Sequence, residues 1–321
     1  MRAHVSVEIE SVDEGQREID LRLGLGIFAS AAQLDHLLSI SRQVDVAAGE
    51  VLYKRGDPAR QVFQVMSGDV ELRSPTSPSW RIEDTGTAGL IDFMLGRAHA
   101  RTAVATRDVR MLELEGADYR EYLEDNFDVS HRLLARMSSE LAAQSAASGE
   151  AQTVFALAPT GPAPRKFANV EIPVIERMML LSHMDVFAHA SMQSLATLGQ
   201  TATEVRFAPG DVIATARERA TTVSVLVEGT VELALPGGHR ALRTGRSLLA
   251  HVEELSDAPR VATVTAMTSV ISLQLEREEL LDRIEEHFDL ALSLFRFVAA
   301  CQERMNDITV AAGLPLGLAW K

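Results

Sequence analysis

Residues 256–264 read Ser-Asp-Ala-Pro-Arg-Val-Ala-Thr-Val, and this stretch decides how the rest of the chain is interpreted. Arg260 stands between a proline, which fixes the backbone that enters it, and a run of small and β-branched residues that favours a strand. A guanidinium can offer two parallel N–H donors to a phosphate, which a lysine cannot do with the same geometry. A looser copy, His-Ala-Arg-Thr-Ala-Val, occupies residues 99–104 and contains Arg101. Both arginines are therefore candidate anion contacts.

The two copies belong to a longer internal repeat. The spacing between Gly49 and Gly68 recurs unchanged between Gly210 and Gly229, so one constant offset relates the two pairs of glycines. The offset from Arg101 to Arg260 is slightly shorter, a two-residue slip that a loop can absorb. Shared spacing at several points predicts a tandem duplication in which each copy is one unit of fold.

Within each copy the hydrophobic pattern favours strands first and helices later. Short apolar or alternating runs are separated by turn residues, which is typical of an antiparallel β-sandwich or barrel. A short amphipathic helix is predicted over residues 28–40, a helical segment over residues 116–145 and a long amphipathic helix over residues 277–308. The predicted strands of the first copy are 43–46, 51–53, 62–66, 70–72, 102–106 and 109–114.

Changes in composition suggest where the units begin and end. Residues 146–175 contain clustered prolines, which favour extended chain, so we interpret them as a semi-rigid linker. The predicted organisation is a polar arm at 1–20, a first domain at 21–145, the Pro-rich linker at 146–175, a second domain at 176–308 and a tail at 309–321.

Composition and charge limit the classes of function. The 321-residue chain carries 45 acidic against 31 basic residues, a formal net charge of −14, which disfavours binding to nucleic acid and to anionic membranes. Its single cysteine, Cys301, cannot form an intramolecular disulfide, and this favours a reducing compartment. The sequence shows neither the layout of a signal peptide nor an apolar run of about 20 residues. We expect a cytoplasmic protein.

The glycine turns and the arginine stretches together resemble the cyclic nucleotide-binding domain family. Pro-Gly-Asp at 209–211, Glu-Gly-Thr-Val-Glu-Leu at 228–233 and the stretch at 256–264 carry the resemblance, which covers roughly residues 25–145 and 182–308. It implies a mainly β fold with helices (α+β), in which two jelly-roll-like β-roll domains are each flanked by helices. The family includes catabolite activator proteins and protein kinase A regulatory subunits.

The resemblance also implies a site. In the family an arginine pairs with the cyclic phosphate, the start of a short helix supplies backbone N–H groups, and a glutamate after a glycine accepts a hydrogen bond from the ribose 2′-hydroxyl. Arg260 is the better match of the two arginines, and neither copy has the glutamate. An unpaired hydroxyl in a pocket costs on the order of 1–3 kcal/mol. The candidate phosphate-binding residues are Arg260, Arg101, Ala262 and Thr263, and the candidate ribose-region residues are Ala250, His251, Gly89 and Leu90.

Two functions remain open from the sequence. One is a regulatory sensor that binds a cyclic nucleotide such as cAMP, or a related anion, and signals through protein contacts. The alternative is a ligand-independent adaptor built from degenerate domains of this kind. We expect protein partners, a possible homodimer through helix 277–308, no DNA and no membrane. The nine histidines show no His-x-His spacing, so we expect no metal site, no cofactor apart from a possible cyclic nucleotide ligand, and no enzymatic activity.

Overall fold

A computed structural model of the chain describes residues 30–83, 86–148, 167, 170–235, 238–249, 255, 259–314 and 316. The first domain consists of α1 (Ala31–Ser39), β1 (Ser41–Val46), β2 (Val51–Tyr53), β3 (Gln61–Ser67), β4 (Val70–Arg73), β5 (Trp80–Ile82), β6 (Thr87–Ala88), α2 (Leu90–Met94), β7 (Thr102–Ala105), β8 (Val109–Glu115), α3 (Gly116–Asp125) and α4 (Phe127–Ser148). The second consists of α5 (Val174–Ser182), a 3₁₀ turn (Asp185–Phe187), α6 (Met192–Thr201), β9 (Thr203–Phe207), β10 (Val212–Ala214), β11 (Thr222–Glu228), β12 (Thr230–Ala234), β13 (Arg240–Thr244), β14 (Ser247–Leu248), β15 (Thr263–Ala266), β16 (Val270–Glu276), α7 (Arg277–Glu286) and α8 (Phe288–Ala311).

Each domain is a β-roll of two four-stranded antiparallel sheets. In the first domain the strand orders are β1-β8-β3-β6 and β2-β7-β4-β5. The second domain repeats both orders, as β9-β16-β11-β14 and β10-β15-β12-β13. The predicted fold class, a mainly β fold with two β-roll domains flanked by helices, is confirmed.

The repeat holds at the level of single residues. Strands β2 and β10 begin at Val51 and Val212, and the offset between these two residues also relates the start of β7 to that of β15 and the start of β8 to that of β16. The strands predicted from the hydrophobic pattern of the first copy are also confirmed, with ends that differ by one or two residues. The duplication is therefore visible in the structure as well as in the sequence.

Two repeated glycines are required by the turn that precedes β4 and β12. Gly68 and Gly229 have φ values of +98° and +102°, in the left-handed region that favours glycine. A Cβ atom on Gly68 would lie 2.3 Å from the carbonyl oxygen of Asp108, and one on Gly229 would lie 2.5 Å from that of Ser269. The tight approach of the two chain segments leaves no space for a side chain at either position.

The prediction of one long helix over 277–308 is wrong, and both predicted helical segments are divided at the same repeated position. The segment over 116–145 is divided at Asn126 (φ −124°, ψ 75°), and the segment over 277–308 is divided at His287 (φ −134°, ψ 86°). Each of these residues accepts a backbone hydrogen bond in the first turn of the next helix, from Val129 and Leu290 respectively. The break changes the direction of the chain without interrupting the apolar pattern, so the period alone does not reveal it.

One large hydrophobic cluster connects the helices of the two domains. It includes Tyr122 and Leu134 from the first domain and Leu294 and Val298 from α8, all of them buried. Two smaller clusters fill the two β-rolls, and Val310 and Leu316 of the second domain pack against the cluster of the first roll. Helix α8 also packs along α4 and against α2. The C-terminal helix of the second domain thus covers part of the first.

Two predicted segments fall mainly outside the described residues. These are the arm at 1–20 and most of the linker at 146–175, so the proposed domain boundaries stay predictions. Phe167 and Ile172, near the end of that linker, are buried. In the described part of the chain no helix combines the length and the apolar character needed to cross a bilayer.

Candidate ligand site

A cavity of about 390 Å³ lies between the first β-roll and the helices that cover it. This volume falls in the range of small-molecule sites. The first domain lines it with Tyr53, Trp80, Leu90 and Arg101, among others, and α8 lines it with Gln302, Glu303 and Asn306. The cavity is therefore bounded by both domains.

Arg101 supplies a buried positive charge to the cavity wall. It immediately precedes β7, and only 4% of its surface is exposed. Its guanidinium carbon lies 3.4 Å from the centre of the Trp80 ring, a cation–π contact. Its NH2 donates to Oδ1 of Asp307 at 2.6 Å, and its NH1 is 3.6 Å from Oε1 of Glu303. Among the described residues, its buried Nε–H has no hydrogen-bond acceptor.

Trp80 and Asp307 complete this arrangement. The indole Nε1–H of Trp80 donates to Oδ1 of Asp307 at 2.9 Å, so one carboxylate oxygen accepts from both Trp80 and Arg101. Arg97, which is exposed, donates to Oε1 of Glu303 at 2.5 Å. The acceptors come from α8, far along the chain from the donors of the first domain.

The residue directly after the glycine at the start of α2 is a leucine, where the family resemblance implies a glutamate, and the first carboxylate of α2 is Asp92, which also lines the cavity. Gly89 has φ +83°, and a Cβ atom there would lie 3.0 Å from the carbonyl oxygen of Gln61. The following residue, Leu90, lines the cavity but accepts no hydrogen bond. The geometry therefore offers the glycine turn of the family without its glutamate.

The carboxylate of Asp92, the nearest acid in this segment, accepts hydrogen bonds from the loop that follows α2. Its carboxylate accepts from Arg97 Nε at 2.9 Å and from the backbone N–H of Ala100 at 3.1 Å, and His99 Nδ1 lies 3.5 Å away. Burial by itself would raise the pKa of Asp92, but these donors outweigh it and hold the pKa below its ordinary range. Asp92 thus serves to fix the loop that carries His99 and Arg101.

His99 packs flat on Tyr53 in the same wall. The ring centroids are 3.7 Å apart with an interplanar angle of 14°, and both residues are buried. Burial raises the pKa of Tyr53 well above its ordinary value, with a further contribution from the nearby charge of Asp92. The cavity wall beside Arg101 therefore contains two stacked, buried aromatic rings.

Arg260 in the second domain has a different environment from Arg101. Its NH2 donates to the backbone carbonyl of Thr222 at 2.9 Å. It is partly exposed and does not line the 390 Å³ cavity. Its role as a phosphate contact stays a prediction.

The backbone shows that Arg260 is the counterpart of His99 and not of Arg101. The N–H of His99 donates to the carbonyl of Asp57 at 2.8 Å, and the N–H of Arg260 donates to that of Glu218 at 2.9 Å. The offset between the two donors equals the offset between the two acceptors, and it is the same offset that relates the repeated glycines. The two-residue slip expected from the sequence is therefore wrong, because these backbone bonds hold the loop in the same register in both domains.

The counterpart of Arg101 in the second domain is Ala262. Each residue directly precedes the matching strand, β7 or β15, and each is buried. Thr263 begins β15, and its hydroxyl accepts from the backbone N–H of Ala216 at 3.1 Å. Ala250 and His251 lie outside the described residues, as do residues 256–258. The second domain thus has no charged side chain at the Arg101 position.

Sequence reasoning missed the residues that α8 contributes to the site. Gln302, Glu303, Asn306 and Asp307 form a polar stripe at helical spacing on a helix that is otherwise largely buried. Such a stripe is a usable signal, because buried polar groups require partners. Their partners in the first domain are not visible from the sequence.

Two β-rolls, each with a glycine turn before a short loop and strand, define the class of this protein. The chain matches the model of the cyclic nucleotide-binding domain family twice, over residues 43–126 and 204–287. These matches cover more than half of the chain, which therefore belongs to this family as a tandem of two such domains.

The sequence identity between this chain and its individual relatives is low. The chain is 24% identical over 244 residues to a cAMP-dependent protein kinase regulatory subunit of Dictyostelium discoideum, a match that covers 72% of this chain and 62% of the relative. The chain thus spans less than two thirds of that relative's length. A solved structure of the regulatory domain of Toxoplasma gondii PKA with cAMP is 14% identical, with 88% and 96% of the two chains covered and a TM-score of 0.33. A regulatory subunit of a cAMP-independent protein kinase A from Trypanosoma cruzi, bound to guanosine, is 14% identical, with 97% of each chain covered and a TM-score of 0.34.

Proposed function

We propose that this chain is a regulatory sensor whose first domain binds a compact anionic ligand at Arg101, and that it signals through contacts with other proteins. The observation that carries the proposal is the buried guanidinium of Arg101 in the wall of a cavity of ligand size. The Nε–H of Arg101 has no acceptor among the described residues, and a ligand phosphate could accept from it.

Cyclic nucleotides are the first ligands to test, and cAMP heads the panel because the Dictyostelium relative is a cAMP-dependent regulatory subunit. Leu90 offers no acceptor to a ribose hydroxyl. We therefore expect weak discrimination between a ribonucleotide and its 2′-deoxy analogue at this site. Because that relative is a subunit of a protein kinase, a protein kinase is also the first class of partner to test.

The experiment is a thermal-shift panel of cyclic mono- and dinucleotides on the full chain. A ligand at about 100 times its Kd adds roughly 2.7 kcal/mol to stability, which is expected to raise Tm by a few degrees. Arg101→Ala should abolish the rise, and Arg260→Ala tests the second domain separately. Arg110→Ala is the matched control, because Arg110 is an exposed arginine of the same domain that pairs with Asp45 on the surface. No shift with any ligand at millimolar concentration would end this proposal.

The alternative function is a ligand-independent adaptor. Two observations favour the adaptor. The side chain of Leu90 supplies no acceptor for a ribose hydroxyl, and the carboxylate of Asp307 already pairs with the guanidinium of Arg101. A homodimer through helix 277–308 would need surface on that helix, whereas Phe295 and Val298 are buried within the chain. Co-purification of a stable partner that is indifferent to Arg101→Ala would support the adaptor, and loss of the partner in that variant would count against it.

The remaining parts of the proposal rest on composition. The net charge of −14 disfavours DNA as a partner, and the single cysteine favours a reducing, cytoplasmic location. We also propose that the protein is not an enzyme. Within the described residues no group of three or more His, Cys, Asp or Glu side chains is placed to hold a metal ion.

A further inference from the structure

The C-terminal half of α8 brings its polar stripe against the first domain. Glu303 and Asp307 are four residues apart on one face of the helix, beside Gln302 and Asn306. Gln302 donates to Oε1 of Gln144 in α4 at 2.8 Å. The stripe therefore contacts the first domain through several polar side chains and not through one ion pair.

The charges at this contact favour docking of the helix. Arg97 and Arg101 face three carboxylates there, and two of these carboxylates, Glu303 and Asp307, belong to α8. With the helix in place the cluster is net negative, and without it the cluster would be net positive. The first domain thus presents an anion site that α8 neutralises.

Little of Arg101 is left for a second anion while α8 is docked. One face of the guanidinium lies on Trp80, its NH2 is taken by Asp307, and its NH1 is close to Glu303. A phosphate needs two parallel N–H donors for a bidentate contact. Asp307 accepts from one N–H of the NH2 group, which leaves the second N–H of that group and the Nε–H. A phosphate at either donor would lie beside the carboxylates of Asp307 and Glu303, whose negative charges oppose its binding.

We propose that the C-terminal half of α8 is an internal competitor for the ligand site of the first domain. Its carboxylates stand in for the ligand anion, and docking of the helix and binding of an anion at Arg101 oppose each other. Release of α8 then transmits the state of the first domain to the second, because α8 continues the second domain. The competition rests on the proposed function, whereas the docking contact does not.

Hydrogen exchange of the unliganded full chain tests the docking contact. Asp307→Asn and Arg101→Met should each speed exchange of the α8 amides after Gln302 by about tenfold, because each removes one of the two charges of the Arg101–Asp307 ion pair. Asp282→Asn removes an exposed carboxylate from α7 and should leave that exchange unchanged. The amides of β11 and β16 report global unfolding and should stay protected in all three variants. Unchanged protection of α8 in Asp307→Asn and Arg101→Met would overturn the docking contact.

Calorimetric titration with cAMP and cyclic GMP tests the competition. The apparent affinity of a ligand is reduced by the fraction of protein in which its site is blocked, so Asp307→Asn should bind about tenfold more tightly than the unmodified chain. Arg101→Met should not bind. Equal affinities of Asp307→Asn and the unmodified chain would refute the competition while leaving the proposed ligand site intact. Absence of binding by every variant would overturn both the cyclic nucleotide site and the competition, and the exchange data would still decide the docking contact.

Discussion

The equivalent positions of the two copies, Arg101 and Ala262, carry side chains of different chemistry. A buried cation is tolerated only where other groups compensate its charge, and Trp80 and Asp307 do so. The equivalent residue of the second domain is Ala262, which needs no such partners. Arg260, two residues earlier, bonds a backbone carbonyl instead. The second β-roll keeps the shape of the loop without a buried charge.

Asp92 is expected to make the stability of the first domain depend on pH. Its donors hold its pKa below the ordinary value of 3.8, so the folded state favours the ionised carboxylate. The stability that it contributes is therefore present above that value and is lost as the pH falls below it. Denaturant unfolding should show that Asp92→Asn costs most near pH 6 and progressively less toward pH 3. A cost of Asp92→Asn that stays constant across this pH range would contradict the expectation.

The turn between β3 and β4 offers a matched comparison of two glycines. Gly68 and Gly49 both have positive φ, but only at Gly68 would a Cβ atom meet backbone, at 2.3 Å from the carbonyl oxygen of Asp108. Gly49→Ala should cost about 1 kcal/mol for its backbone conformation alone. We expect Gly68→Ala to cost at least about 2 kcal/mol more in chemical denaturation, because the two segments must separate. Equal costs would mean that the close approach is not present in solution.

The packing of α8 can be measured through its cysteine. Cys301 is fully buried, and burial raises the pKa of its thiol to about 12. At pH 8 the native chain should react with a thiol reagent at least about 100-fold more slowly than the unfolded chain, because both access and thiolate are lacking. Asp282→Cys in a Cys301→Ser background supplies an exposed reference thiol on α7. Rapid labelling of the native chain would show that α8 is not packed as described.

The whole molecule should unfold as one unit because a single hydrophobic cluster joins both domains. Leu294 of α8 is 1% exposed within that cluster. Leu294→Ala should lower the free energy of unfolding by about 2–5 kcal/mol. Amide exchange in β3 of the first domain and β11 of the second should rise together in this variant. A rise confined to the second domain would show that the two β-rolls unfold independently.

The parts of the structure that depend on local pattern could be predicted from the sequence. Six of the eight strands of the first domain, the glycine turns and the duplication follow from period and spacing, whereas the short strands β5 and β6 are not predicted. The helix break at Asn126 and His287 escaped prediction because the apolar period continues through it. The register of Arg260 depends on backbone bonds that the sequence does not display.

The closure of the candidate site could not be predicted, for a different reason. Arg101 and Asp307 are separated by 206 residues, and nothing near either residue indicates the other. Their meeting depends on how α8 lies across the first domain, which is set by the packing of α8 on α2 and α4. Tertiary packing of this kind determines which of several polar residues become neighbours.

The position of Trp80 gives the molecule an optical reporter of its own. Its indole ring lies under the guanidinium of Arg101, and its N–H is bonded to Asp307 of α8. Departure of α8 would bring water to the ring and to its N–H, and the fluorescence emission of such an indole moves to longer wavelength. The chain has one other tryptophan, Trp320, which Trp320→Phe removes from the spectrum. The contact between Trp80 and α8 that closes the cavity would therefore also report its opening, as a shift of the Trp80 emission to longer wavelength.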